Sequence, residues 1–291
     1  MLLDNEEMLQ KLKHATACSD TAKAAGKDFI TTFSGLGVEQ EESAKLALFV
    51  LQQIQSAKRA IKLENDIFAR YQEIKIKKDG KYLSLPQALT ENFSGRAETI
   101  FNQVSKCFTS IKGPVIDYGA GDCQVTQLLK DRLHLDIEAA DVVDYRTPHT
   151  TVQFTAIRNG KLDRPDGCYA AALLTNVLHH EKDNAVILAD IDRLVTGRIV
   201  IIETVPEGKT DADQEADLGR TFLNDWFYNR TFHPNAGIPV PGSYETIDGW
   251  KSRFARTGWK IEKVTDLGRD QPLIADRHVL YVLMKPAQTS I

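Results

Sequence analysis

The stretch VIDYGAGDCQV, residues 115–125, decides how this chain of 291 residues is expected to fold. A short apolar run is followed by two glycines with one residue between them, and a helical pattern starts directly afterwards. This order predicts a buried strand that enters a tight turn and opens a helix. Gly119 and Gly121 lack the Cβ atoms that keep ligands away from backbone N–H groups, so we expect a polar ligand on this turn.

The chain beyond residue 114 alternates short β-branched runs with helical segments, which is typical of a parallel sheet covered by helices on both faces. Seven strands are predicted, over residues 115–117, 137–142, 152–155, 169–174, 199–203, 259–264 and 279–284. Helices fit between them at 124–132, 184–194 and 247–256. The predicted fold class is therefore α/β, a Rossmann-like, mostly parallel seven-stranded sheet.

The first 111 residues have a helical pattern instead, with Ala47, Val50, Leu51 and Ile54 at helical spacing. A further helix is predicted from about Gly95 to residue 111. We therefore expect a helical N-terminal cap over 1–111 and an α/β domain over 112–291. The long connection 206–245 is expected to be an aromatic insertion within that domain.

Composition excludes several classes of protein. With 42% hydrophobic and 26% charged residues, the chain lies in the range of globular proteins. Its net charge is −4 and no stripe of Lys and Arg is visible, which disfavours a nucleic-acid partner. The acidic start MLLDNEEMLQ and the lack of a long apolar run predict a cytoplasmic protein with no membrane partner.

Cysteine spacing predicts neither a metal site nor disulfides. Cys18, Cys107, Cys123 and Cys168 are far apart, and no C-x-x-C pair occurs. We expect four reduced thiols, mostly buried.

Two carboxylates indicate the kind of ligand. A dinucleotide fingerprint needs a third glycine at position 124, which is Gln here, so NAD is disfavoured. Asp117 ends the first strand of the domain, and an acid there favours a ligand with an ammonium or sulfonium charge. Asp141 ends the next strand, where a carboxylate can accept hydrogen bonds from ribose hydroxyls. Together they indicate a nucleoside that carries a positive charge.

The run IDYGAGDC, the acid Asp141 and the later LLTNVLHH together resemble class I S-adenosylmethionine (SAM) dependent methyltransferases, over about residues 96–286. The resemblance implies a seven-stranded sheet with one antiparallel edge strand. It also implies that Asp117, Gly119 and Gly121 hold the methionine part of SAM and that Asp141 binds the ribose.

Further site residues follow from the same resemblance. Cys123 stands where the family often has a third glycine, and Asn159 takes the place of the acid on the adenine edge. Arg96 is the one residue of the N-terminal region placed near the SAM carboxylate. The N-terminal helices either cover SAM and shape the acceptor site or serve dimerisation or stability, so a homodimer remains open.

The segment LTNVLHH, residues 174–180, resembles the corresponding segment of small-molecule methyltransferases. Thr175 and Asn176 are expected near the sulfonium, and Asn176 is also a catalytic candidate beside the acceptor. Adjacent histidines cannot both face one pocket, and we favour His179 over His180 as a base. The alternative is a histidine that pins the loop by a hydrogen bond to backbone.

The insertion 206–245 contains the run WFYNRTFH, residues 226–233. One hypothesis is a lid that excludes water and places rings near the sulfonium, with Tyr228 and His233 beside the acceptor. The alternative is an accessory hydrophobic core in which Arg230 and His233 are satisfied locally.

Three functions remain open from the sequence. The first is methyl transfer from SAM to a small molecule in biosynthesis. The second is an intramolecular cyclase that forms azetidine-2-carboxylate from SAM and releases methylthioadenosine. The third is a regulatory module that binds SAM or a nucleoside without catalysis.

Overall fold

The computed structural model describes residues 5–147, 149–233, 237–271 and 273–286. They form two compact units. The α/β unit comprises Ser94–Thr204, Ile247–Gly268 and His278–Ile291, and the helical unit comprises Met1–Phe93, Val205–Thr246 and Arg269–Arg277. The division differs from the expected boundary at residue 111, because the helix expected from Gly95 joins the sheet and the insertion joins the N-terminal helices.

The seven strands predicted from the sequence are all present in one sheet. They are β3 (Val115–Tyr118), β4 (Ile137–Asp141), β5 (Gln153–Ala156), β6 (Tyr169–Thr175), β7 (Val195–Val205), β8 (Lys260–Gly268) and β9 (Arg277–Met284). Their order is β5-β4-β3-β6-β7-β9-β8. The pairs β3/β4, β3/β6, β4/β5 and β6/β7 are parallel, and the edge strand β8 is antiparallel to β9. The predicted fold class is therefore confirmed.

Four helices of the α/β unit accompany this sheet. They are α6 (Phe93–Phe108), α7 (Gln124–Leu133), α8 (Ala185–Leu194) and α10 (Ile247–Ala255). The stripe Ile100, Val104 and Phe108 of α6 is buried in one core with Val115 and Leu173 of the sheet. This apolar stripe explains why α6 belongs with the sheet, since burial of such a face is what stabilises a helix in water.

The helical unit contains α1 (Asn5–Ala17), α2 (Ser19–Gly35), α3 (Gln40–Ser56), α4 (Ala60–Glu73), α5 (Leu85–Glu91) and α9 (Asp211–Trp226). Within α3, Ala47, Val50 and Ile54 are buried, as their spacing predicts. A short hairpin, β1 (Lys75–Lys78) and β2 (Lys81–Ser84), was not predicted. Its signal is the pair Asp79-Gly80, whose positive φ angles of 49° and 78° suit a two-residue hairpin turn.

The aromatic residues of the insertion are core residues of the helical unit. Trp226, Phe227 and Phe232 are buried in one cluster with Phe29 and Phe33 of α2. The rings of Phe29 and Phe227 stack with their centroids 4.0 Å apart. These rings pack against the helices of their own unit, as the accessory-core alternative expects, and a role of the insertion as a lid stays a prediction.

Two other expectations concern the whole chain. No helix among the described residues is long and apolar enough to cross a bilayer. All four cysteines are free thiols, but only Cys123 is buried, whereas Cys18 is exposed and the other two are half-buried. The prediction that the thiols are mostly buried is therefore wrong.

Candidate functional site

The carboxyl ends of β4, β3 and β6 lie side by side and carry most of the predicted site. Register places Tyr118 of β3 opposite Ala140 of β4. The N–H groups of Gly119 and Ala120 both donate to the Ala140 carbonyl oxygen, at 2.7 and 3.1 Å. The turn after β3 is thus fixed to the end of β4, in the region where open α/β sheets bind ligands.

Both glycines of this turn have a positive φ, 79° at Gly119 and 54° at Gly121. Their surroundings differ. A Cβ added at Gly119 would lie 2.5 Å from a methyl carbon of Val177, whereas a Cβ added at Gly121 would meet no atom within 4 Å. Gly119 is therefore required by packing and conformation together, while Gly121 leaves open space above the turn.

Cys123 holds the position of the family's third glycine. Its φ is 61°, in the left-handed region, and α7 begins at the next residue. A side chain at this φ is strained, which explains why the family often has glycine at this position.

Asp117 is buried at the end of β3, with 1% of its surface exposed. The Thr126 hydroxyl of α7 donates to Oδ2 at 2.5 Å. Among the described residues, Oδ1 has no hydrogen-bond partner. Burial raises the pKa of Asp117 to about 7, and the nearby carboxylates Asp141 and Asp122 add to the rise. A buried carboxylate oxygen without a donor is costly and is satisfied by a proton or a cation.

Asp141 links β4 to the glycine turn. Its Oδ2 accepts the Gly121 N–H at 2.8 Å, and its Oδ1 accepts the Val142 N–H at 2.6 Å. Burial raises the pKa of this carboxyl, and the backbone donors oppose the rise. Each carboxylate oxygen has a second lone pair, so the predicted acceptance from ribose hydroxyls remains available.

Thr175 and Asn176 follow one another at the end of β6. Asn176 has a positive φ of 56° and donates its N–H to the Ile202 carbonyl oxygen of β7 at 2.8 Å. Its side-chain Oδ1 is buried and has no partner among the described residues. Asn tolerates this backbone conformation better than most residues, which accounts for the residue type independently of any ligand.

His179 lies in a 3₁₀ turn, Leu178–His180, directly after β6. Its Nδ1 lies 2.6 Å from Oε2 of Glu203, a fully buried residue of β7. The other oxygen of Glu203 accepts the Val177 N–H at 3.0 Å and the Leu178 N–H at 2.7 Å. A carboxylate can only accept, so Nδ1 carries a proton that it donates to Glu203. Glu203 pins the loop through these two backbone N–H groups.

Two further predicted cofactor residues lie elsewhere in the α/β unit. Asn159 and Gly160, with φ of 53° and 69°, form the tip of a tight turn closed by Arg158 and Lys161. The turn alone explains the residue type at 159, because Asn-Gly suits two successive positive φ angles. Arg96 lies in the first turn of α6. Contacts of Asn159 with adenine and of Arg96 with the SAM carboxylate remain predictions.

The predicted residues of the insertion belong to the helical unit. The Tyr228 hydroxyl accepts the Ala275 N–H at 2.9 Å, donates to the Leu273 carbonyl oxygen and lies 2.6 Å from Oγ1 of Thr32. These contacts bury the hydroxyl within the helical unit, and a catalytic role of Tyr228 stays a prediction. Burial lowers the pKa of His233, whose role beside an acceptor stays a prediction.

The contacts of Arg230 match the accessory-core alternative. It donates to both carboxylate oxygens of buried Glu64, at 3.0 and 2.9 Å, and to the Ile238 carbonyl oxygen at 3.0 Å. This geometry is a bidentate Arg–carboxylate pair. Arg230 is thus satisfied within its own unit.

Sequence reasoning missed two residues of the site. Glu203 is the single charged residue in the run IVIIETV, and an acid inside a buried strand is a signal for a specific partner. Thr126 has no such signal, because a lone Thr in the first turn of a helix is common. Its hydrogen bond to Asp117 is visible only once α7 is placed beside β3.

The solved structures to which this chain is similar include several methyltransferases. Magnesium protoporphyrin IX methyltransferase from Synechocystis PCC 6803, solved with bound SAH, is 10% identical at a TM-score of 0.47, over 76% of this chain and 94% of its own. Geranyl diphosphate methyltransferase, solved with GPP and sinefungin, is 12% identical at 0.48, over 66% and 78%. A SAM-dependent methyltransferase from Mesorhizobium loti is 15% identical at 0.45, over 64% and 98%.

Likenesses at this level assign neither an activity nor a ligand to this chain. No family profile and no curated protein matches the sequence.

Proposed function

We propose that this protein is a SAM-dependent methyltransferase that acts on a small molecule. The observation that carries the proposal is the Oδ1 atom of Asp117, which is buried beside the glycine turn and has no donor among the described residues. SAM carries an ammonium group that such an oxygen would accept from. A pyrophosphate ligand is disfavoured, since two carboxylates at adjacent strand ends repel anions.

The residues present fit SAM in three further respects. Gly121 leaves room for a ligand to approach the backbone. Asp141 is oriented by two backbone donors and keeps lone pairs for the ribose. Thr175 and Asn176 end the neighbouring strand β6 and border the same turn, because Val177 packs against Gly119. We assign Asp117, Gly119, Gly121, Asp141, Thr175 and Asn176 to SAM.

The chemistry that SAM supplies when bound is a methyl group on a sulfonium, whose transfer leaves a neutral thioether. The protein has to align an acceptor with that methyl group and, for an O–H or N–H acceptor, remove a proton. We assign the proton to Nε2 of His179. Glu203 holds the ring orientation and stabilises the imidazolium that forms, as a carboxylate does behind a histidine base.

Identification of the nucleoside product tests the reaction. The purified protein is incubated with SAM and with a panel of small O–H and N–H compounds, and nucleosides are measured by mass spectrometry. We expect S-adenosylhomocysteine, in amounts that depend on the acceptor, and loss of turnover in His179→Asn. Release of methylthioadenosine without an acceptor would instead establish the cyclase. SAM binding with neither product would establish a non-catalytic module.

A further inference from the structure

The hydrogen bond between Thr126 and Asp117 is the basis of this inference, which rests on the proposed function. Both residues are buried, Thr126 completely, and the hydroxyl lies 2.5 Å from Oδ2. A threonine hydroxyl has one proton to donate, and Asp117 Oδ2 receives it. The carboxylate is therefore held in one orientation, with Oδ1 as the oxygen left for a ligand.

We propose that Thr126 is a positioning residue for SAM, and that SAM binding displaces a proton from Asp117. The hydroxyl of Thr126 fixes the carboxylate from behind. In the ligand-free protein a proton occupies Asp117 for part of the time, and the ammonium group of SAM replaces it.

The charges around Asp117 explain why a proton is held there. Asp141 faces it from β4 and Asp122 from the glycine turn, and both are acids. Cys123 of the same turn is neutral at physiological pH, because burial raises the pKa of its thiol to about 12. On the β6 side, the residue paired with Asp117 is Leu173, which has no charge. Burial among acids raises the pKa of Asp117 to about 7, while the Thr126 hydrogen bond lowers it.

The affinity for SAM depends on pH through the ionisation of Asp117. SAM needs the ionised carboxylate, so its affinity falls as the pH falls below about 7, by roughly fivefold to tenfold between pH 7.5 and 6. Binding at pH 6.5 releases about three-quarters of a proton from a group with this pKa. Without the Thr126 hydroxyl the carboxylate loses a stabilising donor, so the midpoint moves up by about one pH unit.

Isothermal titration calorimetry with SAM tests this linkage. Titrations in buffers of different ionisation enthalpy count the protons released, and titrations from pH 6 to 8.5 give the midpoint. We expect proton release and a midpoint near 7 in the wild type, loss of both in Asp117→Asn, and an upward shift in Thr126→Val that Thr126→Ser reverses. Methylthioadenosine, which lacks the ammonium group, is the control ligand and should release no proton.

The outcomes separate this inference from the proposed function. A wild type that binds SAM without proton release overturns the inference and leaves the function intact. The same holds if Thr126→Val loses thermal stability but keeps the wild-type midpoint, because Thr126 is then only structural. If Thr126→Val does not fold, the number of protons released on SAM binding is still compared between the wild type and Asp117→Asn. Equal numbers overturn the inference. Absence of SAM binding at every pH overturns both proposals.

Discussion

The backbone N–H of Gly121 donates to Oδ2 of Asp141 at 2.8 Å, across twenty positions of sequence. This bond joins the glycine turn after β3 to the last residue of β4. A glycine turn is flexible by composition, so an external acceptor is needed to give it one conformation. The acid at the end of β4 therefore acts on the turn as well as on any ligand.

Replacing Asp141 with Asn should weaken both the hold on the glycine turn and the binding of SAM. The amide keeps one oxygen and turns its NH₂ group toward a backbone N–H that needs an acceptor. We expect a loss of about 1–2 kcal/mol in the free energy of unfolding and about tenfold weaker SAM binding. Asp136→Asn, an exposed acid just before β4, is the matched control. Urea unfolding and calorimetry would contradict the account if the two variants behaved alike.

The two glycines of the turn should differ in their tolerance of alanine. Both have a positive φ, which costs about 1 kcal/mol for alanine, but only Gly119 faces the methyl groups of Val177. Gly119→Ala should therefore destabilise the protein more than Gly121→Ala, and Val177→Ala should rescue part of the difference. Gly121→Ala should mainly weaken SAM binding, because its new methyl group enters the open space. Equal unfolding free energies would argue against this reading.

Glu203→Gln should reverse the tautomer of His179. The amide oxygen can accept from Val177 and Leu178, and the NH₂ group then donates to Nδ1, so that the proton moves to Nε2. Turnover should fall by about a hundredfold or more as the base is lost, with the fold retained. Nitrogen NMR of the imidazole reads the tautomer without a known acceptor. A protonated Nδ1 in the variant would show that Glu203 does not set the tautomer of His179.

Tyr228→Phe tests whether the aromatic insertion is core or active site. The variant removes a hydroxyl that bonds to Leu273, Ala275 and Thr32. We expect the free energy of unfolding to fall by about 2 kcal/mol, since a buried N–H loses its acceptor. SAM affinity should stay at the wild-type value. Reduced turnover at unchanged stability would instead support the predicted catalytic role of Tyr228.

The sheet was predictable because each strand is a short apolar run between breakers. The ends of the strands were less predictable. Strand β7 begins at Val195, four residues before the predicted start. The prediction missed these residues because Thr196, Gly197 and Arg198 interrupt the apolar pattern. Assignment of α6 to the sheet was not predictable either. Helical spacing shows that a face is buried but not which unit buries it.

The residues of the candidate site also include some that were predictable from sequence and some that were not. Asp117, Gly119, Gly121 and Asp141 were predictable, because local sequence places them at strand ends. The residues that orient Asp117 and His179 were not, since Thr126 and Glu203 act through tertiary contacts. The burial of Tyr228 in the core of the helical unit was not predictable, because aromatic residues have the same pattern in a core as in a lid.

Titration of SAM into three forms of the protein tests the central claim most directly. Asp117→Asn removes the carboxylate beside the glycine turn, and Asp131→Asn, exposed on α7 and bonded only to Gln127 among the hydrogen bonds seen, is the control. At pH 7.5 we predict that the wild type and Asp131→Asn bind SAM equally, and that Asp117→Asn binds at least about tenfold more weakly, as loss of a charge-assisted hydrogen bond requires. Wild-type affinity in folded Asp117→Asn, or no binding to any form, would contradict the account.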